Sequence, residues 1–412
     1  MRAPVLFALL VACGDSNPMP MPDAAGPPPG PPDPGDTGFH VPLNSLNGFS
    51  YTASLEAGLG YYGVIVDTGS SDTAIASSLC FNCGAPLYAP GASATDAMMM
   101  ASTQYADGSM WSGEIYKETE TWLRGPFVTT SLVAIKSQTN FFDPSSYYQG
   151  IIGLGPKELL DPGTTSYMDA LAAQYGGQEM MAFRLCPFSG DMWLEGYDPT
   201  AAASDVKFTP MLPIDGLGNG FYQVEYADIL FGGTTLGVAK AGYGPVLVDT
   251  GTSISYIPAT ALTSLLMAIN KDAAFKTMFP GQTLANTTTG ACVTNATATS
   301  EMVDAMLPKL SVSFPTASGG TFAVDVPASS SYLYPAGMGQ FCLAFDDAAT
   351  TGTLIGDTLL TGMLTVFDVS NLQIGFAPQA GCAPFDPIMR TTRVAPHASP
   401  FFRPPPRRQP RH

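Results

Sequence analysis

The sequence predicts an all-β chain folded into two similar lobes with a few short helices. Three observations predict it. The run Val64-Ile65-Val66-Asp67-Thr68-Gly69-Ser70 returns as Val246-Leu247-Val248-Asp249-Thr250-Gly251-Thr252. Each copy is an apolar run, read as a buried strand, that ends in Asp-Thr-Gly and a hydroxyl residue. The length of 412 residues exceeds one ordinary core and suits two lobes with extensions. Charged residues make up only 12%, while 43 Gly and 37 Pro punctuate short runs of Val, Thr, Tyr and Phe. That mixture favours strands joined by turns.

Taken in order, residues 1–12 read as a signal segment, with an apolar run from Val5 to Ala12. Leu10-Val11-Ala12-Cys13-Gly14 resembles the lipobox of bacterial lipoproteins, in which cleavage precedes the Cys and its sulfur carries a lipid. Cys13 is therefore the expected lipidation site. Residues 13–38 are rich in Pro, Gly and Asp and are expected to form an extended tether. The first lobe is expected over 39–212 and the second over 213–382. Helices are expected over Ala261–Ile269, with Pro258 near the start, and over Tyr167–Tyr175, ended by Gly176-Gly177. Residues 383–412 are Pro- and Arg-rich and are expected to be disordered, with attraction to anionic envelope surfaces as their functional reading. No second apolar stretch reaches spanning length, so attachment by lipid is the expectation. The chain is thus expected in a bacterial envelope, extracytoplasmic, on the periplasmic face or cell surface; secretion is the alternative.

Charge narrows the chemistry. Between Phe39 and Cys382 there are 29 acidic and 10 basic residues, a net of −19, and beyond Cys382 six Arg and one Asp. An acidic body argues against nucleic acid as a partner. His40, His397 and His412 lie at or beyond its edges. Mechanisms that need a Ser/His/Asp or Cys/His imidazole, and His-ligated zinc, are excluded from the body. Neither a metal nor a cofactor is expected.

A lone Asp-Thr-Gly is weak evidence: a third copy, Asp36-Thr37-Gly38, follows Pro34-Gly35 instead of an apolar strand and is discarded. The other two each have a later partner element, Gly150-Ile151-Ile152-Gly153-Leu154-Gly155 and Thr353-Leu354-Ile355-Gly356-Asp357. Asp67 and Asp249 lie 182 residues apart. These residues resemble the pepsin-like, two-lobed aspartic proteases, and the resemblance covers most of Phe49 to Cys382. Tyr222-Gln223-Val224 resembles the opening of the second lobe. Thr365–Asp368 and Ile374–Ala377 resemble the family's closing strands.

The chemistry then follows from paired carboxylates. Like charges about 3 Å apart cannot both ionise easily, so the pair shares a proton. One carboxylate takes a proton from water, which attacks the peptide carbonyl, while the other donates to the carbonyl oxygen. Gly69 and Gly251 permit close backbone approach. The resemblance implies that Thr68 and Thr250 bond across to the opposite lobe, and that Ser70 and Thr252 bond the outer carboxylate oxygens. Tyr105-Ala106-Asp107-Gly108-Ser109 resembles the flap, with Tyr105 toward substrate and Gly108 at the hairpin tip. Two positions depart from the pattern. Ala106 stands where Gly is common. Ala74 stands where a Trp often bonds the flap Tyr, and Trp111 is placed to compensate.

Seven cysteines less Cys13 leave an even number, consistent with an oxidising compartment. The resemblance implies Cys80–Cys83, Cys292–Cys342 and Cys186–Cys382, the last as in the beta-secretase type. Cys80-Phe81-Asn82-Cys83 also reads as a redox pair or half a zinc site, but no second such motif accompanies it. No Lys or Arg occurs between Arg2 and Lys117, so a basic inhibitory prosegment is not expected.

The expectation is a monomeric aspartic endopeptidase acting on extended polypeptides, with apolar residues flanking the cut and activity below neutral pH. The alternatives are a catalytically inactive peptide- or protein-binding lipoprotein on the same fold, and a structural lipoprotein.

Overall fold

The computed structural model describes residues 38–45, 48–122, 125–142, 148–214, 220–287, 290–349 and 351–382. The signal segment, Cys13, nearly all of the linker including Asp36, and the tail 383–412 lie outside them.

The chain is mostly β. Strand Phe39–Ser45 buries Phe39, Val41, Leu43 and Ser45 and exposes the residues between them. That alternation marks a sheet with one face on the core. By contrast, strands Gly150–Gly153 and Met363–Asp368 are buried at every position, as expected where both faces are covered.

Among the described residues the largest sheet has thirteen strands. It runs from the flap region to the chain's end, because Met363–Asp368 and Gln373–Pro378 join it beside Met180–Leu185. These strands resemble the family's closing strands and lie within the span 213–382 expected for the second lobe. Backbone pairing joins them to the sheet of the first half, so strands from both halves share one sheet.

The internal repeat extends beyond the motif. In the first half Gly60–Asp67 runs parallel to Gly150–Gly153, which is antiparallel to Ala74–Ala76, which is parallel to Phe127–Thr139. In the second, Pro245–Val248 is parallel to Thr353–Ile355, which is antiparallel to Ser255–Ile257, which is parallel to Phe345–Asp347. Neighbour order and strand direction are the same in both. The main apolar core contains Val64, Val66 and Ile152 from one unit and Val246, Val248 and Ile355 from the other. Burying each such side chain contributes about 1.5–3 kcal/mol.

The expected helices are present at Tyr167–Tyr175 and Ala259–Lys271. The first is capped by Ser166, whose side chain accepts from the Asp169 amide, and ends at Gly176 in the left-handed region. The second buries Ala261, Leu262, Leu265 and Ile269 along one stripe. Helices Ala273–Met278 and Ser300–Met306 were not anticipated. They are too short for a periodic pattern, and their signals are the capping side chains of Asp272 and Thr299.

Candidate active site

The two Asp-Thr-Gly segments leave the ends of equivalent strands. Asp67 is level with Gly153 across the parallel pair, and Val248 with Ile355. Asp249 thus comes level with Gly356. The crossing strands need glycine there. A side-chain carbon at Gly153 would lie 2.5 Å from the Ser71 nitrogen, and one at Gly356 would lie 2.6 Å from the Thr252 carbonyl oxygen.

The threonines tie the segments together. The Thr68 hydroxyl donates to the Val248 carbonyl at 3.0 Å and accepts from the Thr250 amide at 3.0 Å. The Thr250 hydroxyl donates to the Val66 carbonyl at 2.9 Å and accepts from the Thr68 amide at 3.1 Å. All four bonds are buried, so each hydroxyl removed strands an amide and a carbonyl, at about 1–3 kcal/mol per group.

This grip sets the carboxyls face to face. Asp67 Oδ1 accepts from the Gly69 amide at 2.7 Å and Oδ2 from the Ser70 hydroxyl at 2.5 Å. Asp249 Oδ1 accepts from the Gly251 amide at 2.8 Å and Oδ2 from the Thr252 hydroxyl at 2.6 Å. The two carboxyl groups lie within hydrogen-bonding reach of each other. A side-chain carbon at Gly69 would lie 2.6 Å from both Asp249 oxygens, and one at Gly251 would collide with Asp67 Oδ1. Burial first, and then the Asp249 carboxylate, hold the Asp67 carboxyl well above the usual range, against the lowering effect of Ser70 and Gly69.

With this geometry in place, comparison with known proteins is decisive. The family model for eukaryotic aspartyl proteases matches residues 50–379. The chain belongs to that family. It is 25% identical over 351 residues to a protein called aspartic protease from Phaffia rhodozyma, covering 83% of this chain and 79% of that one. It is 26% identical over 369 residues to a beta-secretase of Strongylocentrotus purpuratus, covering 78% and 66%. A third relative, rhizopuspepsin-2 of Rhizopus niveus, is 31% identical over 210 residues, 47% of this chain and 49% of that protein. Fungal and animal proteins are thus among the relatives. The chain is an aspartic-type endopeptidase.

In this protease the hairpin of strands Thr95–Gln104 and Met110–Trp122 carries Tyr105–Ser109 at its turn. The Tyr105 amide donates to the Ser109 carbonyl at 2.9 Å, and the Ser109 amide to Asp107 Oδ1 at 2.8 Å. Gly108 has φ +82°, where a side chain would be strained. Tyr105 is buried. Its hydroxyl accepts from Trp111 Nε1 at 2.9 Å, and its ring stacks on Phe141 at 5.2 Å. Trp111 therefore supplies from the hairpin itself the bond that Ala74 cannot make. Ala74 is a buried member of the neighbouring strand.

Two groups escaped the sequence reading. Asp357 was read only as the end of a motif. It is buried, and both carboxyl oxygens lack a hydrogen-bond partner among the described residues. Burial, then Asp249 and Asp67, push it well above the ordinary carboxylate range. Its signal was an acid directly after an apolar-apolar-Gly strand. Phe141 and Phe142 gave none, because aromatic residues in a loop look alike whether they pack or not. The cysteines pair as Cys80–Cys83, Cys186–Cys382 and Cys292–Cys342. Cys80 and Cys83 are thus a closed disulfide and not free ligands.

Proposed function

We propose that Asp67 and Asp249 are the catalytic pair of this endopeptidase and that they cleave extended polypeptides through an activated water. The observation that carries this is the matched set of bonds around two opposed, buried carboxyls. Each takes one amide and one hydroxyl bond, which leaves the facing sides free to bind one water together. The pair holds one proton as a unit. Its ionised member takes a proton from the water as oxygen attacks the carbonyl carbon. Its protonated member donates to the carbonyl oxygen, giving a neutral tetrahedral intermediate. The first of these aspartates then passes its proton to the leaving nitrogen while the second takes one back from a hydroxyl of the intermediate, and the C–N bond breaks to give acid and amine with the pair restored. Thr68 and Thr250 hold the two loops in register, and the glycines allow the approach. Tyr105, Asp107, Gly108 and Ser109 form the flap over the substrate. The aromatic residues beside Tyr105 favour apolar side chains next to the cut.

Incubation with a denatured protein between about pH 3 and 6 tests this. Cleavage that pepstatin blocks, and that Asp67→Asn or Asp249→Asn abolishes, is the expected result. Intact substrate under every condition favours the peptide-binding alternative.

For location we propose a monomer tethered by lipid at Cys13 to a bacterial envelope. Support comes from the Leu10–Gly14 motif and the Pro-rich stretch after it. Fatty-acid labelling of the expressed chain, lost in Cys13→Ser, is the expected outcome. A labelled Cys13→Ser protein, or an unlabelled wild type, removes the tether.

A further inference from the structure

We propose that Gln138 is a positioning residue that couples the Cys80–Cys83 loop to the aromatic wall under the flap. This inference rests on the reading of the cleft as a peptide-hydrolysing site and names what holds its apolar wall in place.

Gln138 sits on the strand Phe127–Thr139, directly opposite Trp111 on the flap hairpin. Opposed residues in an antiparallel pair point to the same face. Gln138 is buried at 8% exposure. Its side-chain nitrogen donates to the Asn82 carbonyl at 3.0 Å and the Phe142 carbonyl at 3.2 Å. Its side-chain oxygen accepts from the Phe141 amide at 2.9 Å and the Phe142 amide at 3.2 Å. An amide has two donors and two lone pairs, and all are used. Asn82 answers with its own amide, donating to the Gln138 carbonyl at 3.4 Å.

The two ends of this bridge differ in kind. On one side is the loop closed by Cys80–Cys83, with Phe81 fully exposed. On the other, Phe141 stacks on Tyr105, Phe142 packs edge-on against Phe141 at 4.7 Å, and Tyr148 packs on Phe142 at 5.7 Å. Cys80, Trp111, Tyr105, Phe141 and Phe142 belong to one apolar cluster, apart from the main core. Holding the backbone of Phe141 and Phe142 fixes the surface on which Tyr105 rests. Loss of the bridge therefore loosens substrate binding and leaves the chemistry of the two aspartates, which Gln138 does not touch.

The test uses the full chain, with fluorogenic peptides that carry Phe or Ala before the cut. Gln138→Glu keeps both acceptors but, once ionised, has no donor. A buried donor lost is worth about tenfold in an equilibrium. Burial raises this carboxyl as it raises Glu195, so the donor is lost only as pH climbs to and past neutral; there the expected KM for the Phe peptide rises about tenfold with kcat within about twofold, and the Ala peptide changes less. As pH falls and the carboxyl regains a proton to donate, KM returns toward the wild-type value. Cys80→Ser/Cys83→Ser, which opens the loop at the buried Cys80, shifts KM the same way, and combining it with Gln138→Glu adds little. Hydrogen exchange at the Phe141 and Phe142 amides reads the same coupling without activity. It is expected to speed up in the Cys80→Ser/Cys83→Ser chain. Unchanged KM and unchanged exchange in the serine variant, or a fall in kcat alone, overturns the proposal. A wild type that cleaves nothing overturns the proposed function instead, and the exchange measurement still decides the coupling.

Discussion

At Asp67 the carboxyl takes one bond from the Gly69 amide and one from the Ser70 hydroxyl; at Asp249 the same two come from Gly251 and Thr252. The four distances run from 2.5 to 2.8 Å. Behind the loops the likeness ends. After the crossing-strand glycine the first half has Leu154, a core residue, and the second has the buried acid Asp357. The first half also carries the hairpin of Thr95–Gln104 and Met110–Trp122 with Tyr105–Ser109 at its turn. Identical bonds at the loops give the pair symmetric support. The asymmetric surroundings then set an apolar side chain behind one loop and a buried acid behind the other.

The largest expected effect tests the symmetry. Asp67→Asn and Asp249→Asn should each reduce peptide hydrolysis by about 10⁴-fold or more, because each removes one half of a shared acid–base pair. A variant that keeps a tenth of the activity breaks the comparison. Next, Thr68→Val and Thr250→Val should each destabilise the fold by about 1–3 kcal/mol for every buried group left unpaired. Urea unfolding measures this, and the two variants should agree, with the double substitution costing less than the sum. Very different values would mean that one loop carries the grip.

The asymmetric features predict smaller effects. Trp111→Phe removes the bond to the buried Tyr105 hydroxyl and shrinks a buried side chain, so it should raise KM several-fold and lower stability by about 1–3 kcal/mol. Equal loss of kcat would remove the flap from this account. The pH dependence separates the halves differently. Burial raises the carboxyls of Asp67, Glu120 and Asp357, and lifts Glu195 to about 7. The native state keeps these protons while the unfolded chain releases them at ordinary carboxylate values. Stability is therefore full at acid pH and falls as pH climbs, for Glu195 between 4.5 and about 7. Glu120→Gln and Asp357→Asn should narrow the gap in Tm between pH 4 and pH 7.5, each in its own half. A gap that widens reverses the sign and ends the argument.

How much was legible depended on distance along the chain. The Val64–Ser70 and Val246–Thr252 runs exposed themselves because a strand ending in Asp-Thr-Gly is a local pattern, and repetition made it specific. The helix Tyr167–Tyr175 was visible through its terminal glycines. Glu120 was hidden: an acid on a strand reads as a surface residue, yet it is buried on the same face as Trp122, near Tyr167 of the helix. Gln138 was hidden as well: Phe141 and Phe142 are near it along the chain, but Asn82, 56 residues away, is brought to it only by folding.

By itself, the sequence determined the two strand-to-loop units, their glycines and the acids at their tips, because local sterics and burial leave those residue types little choice. The tertiary structure decided which faces were covered. It set the two carboxyls against each other through crossed threonine bonds, supplied Trp111 where Ala74 offers nothing, and buried Asp357 with no hydrogen-bond partner for its carboxyl among the described residues. Those outcomes depend on contacts between segments up to 184 residues apart, and no local pattern encodes the dielectric that a side chain will meet.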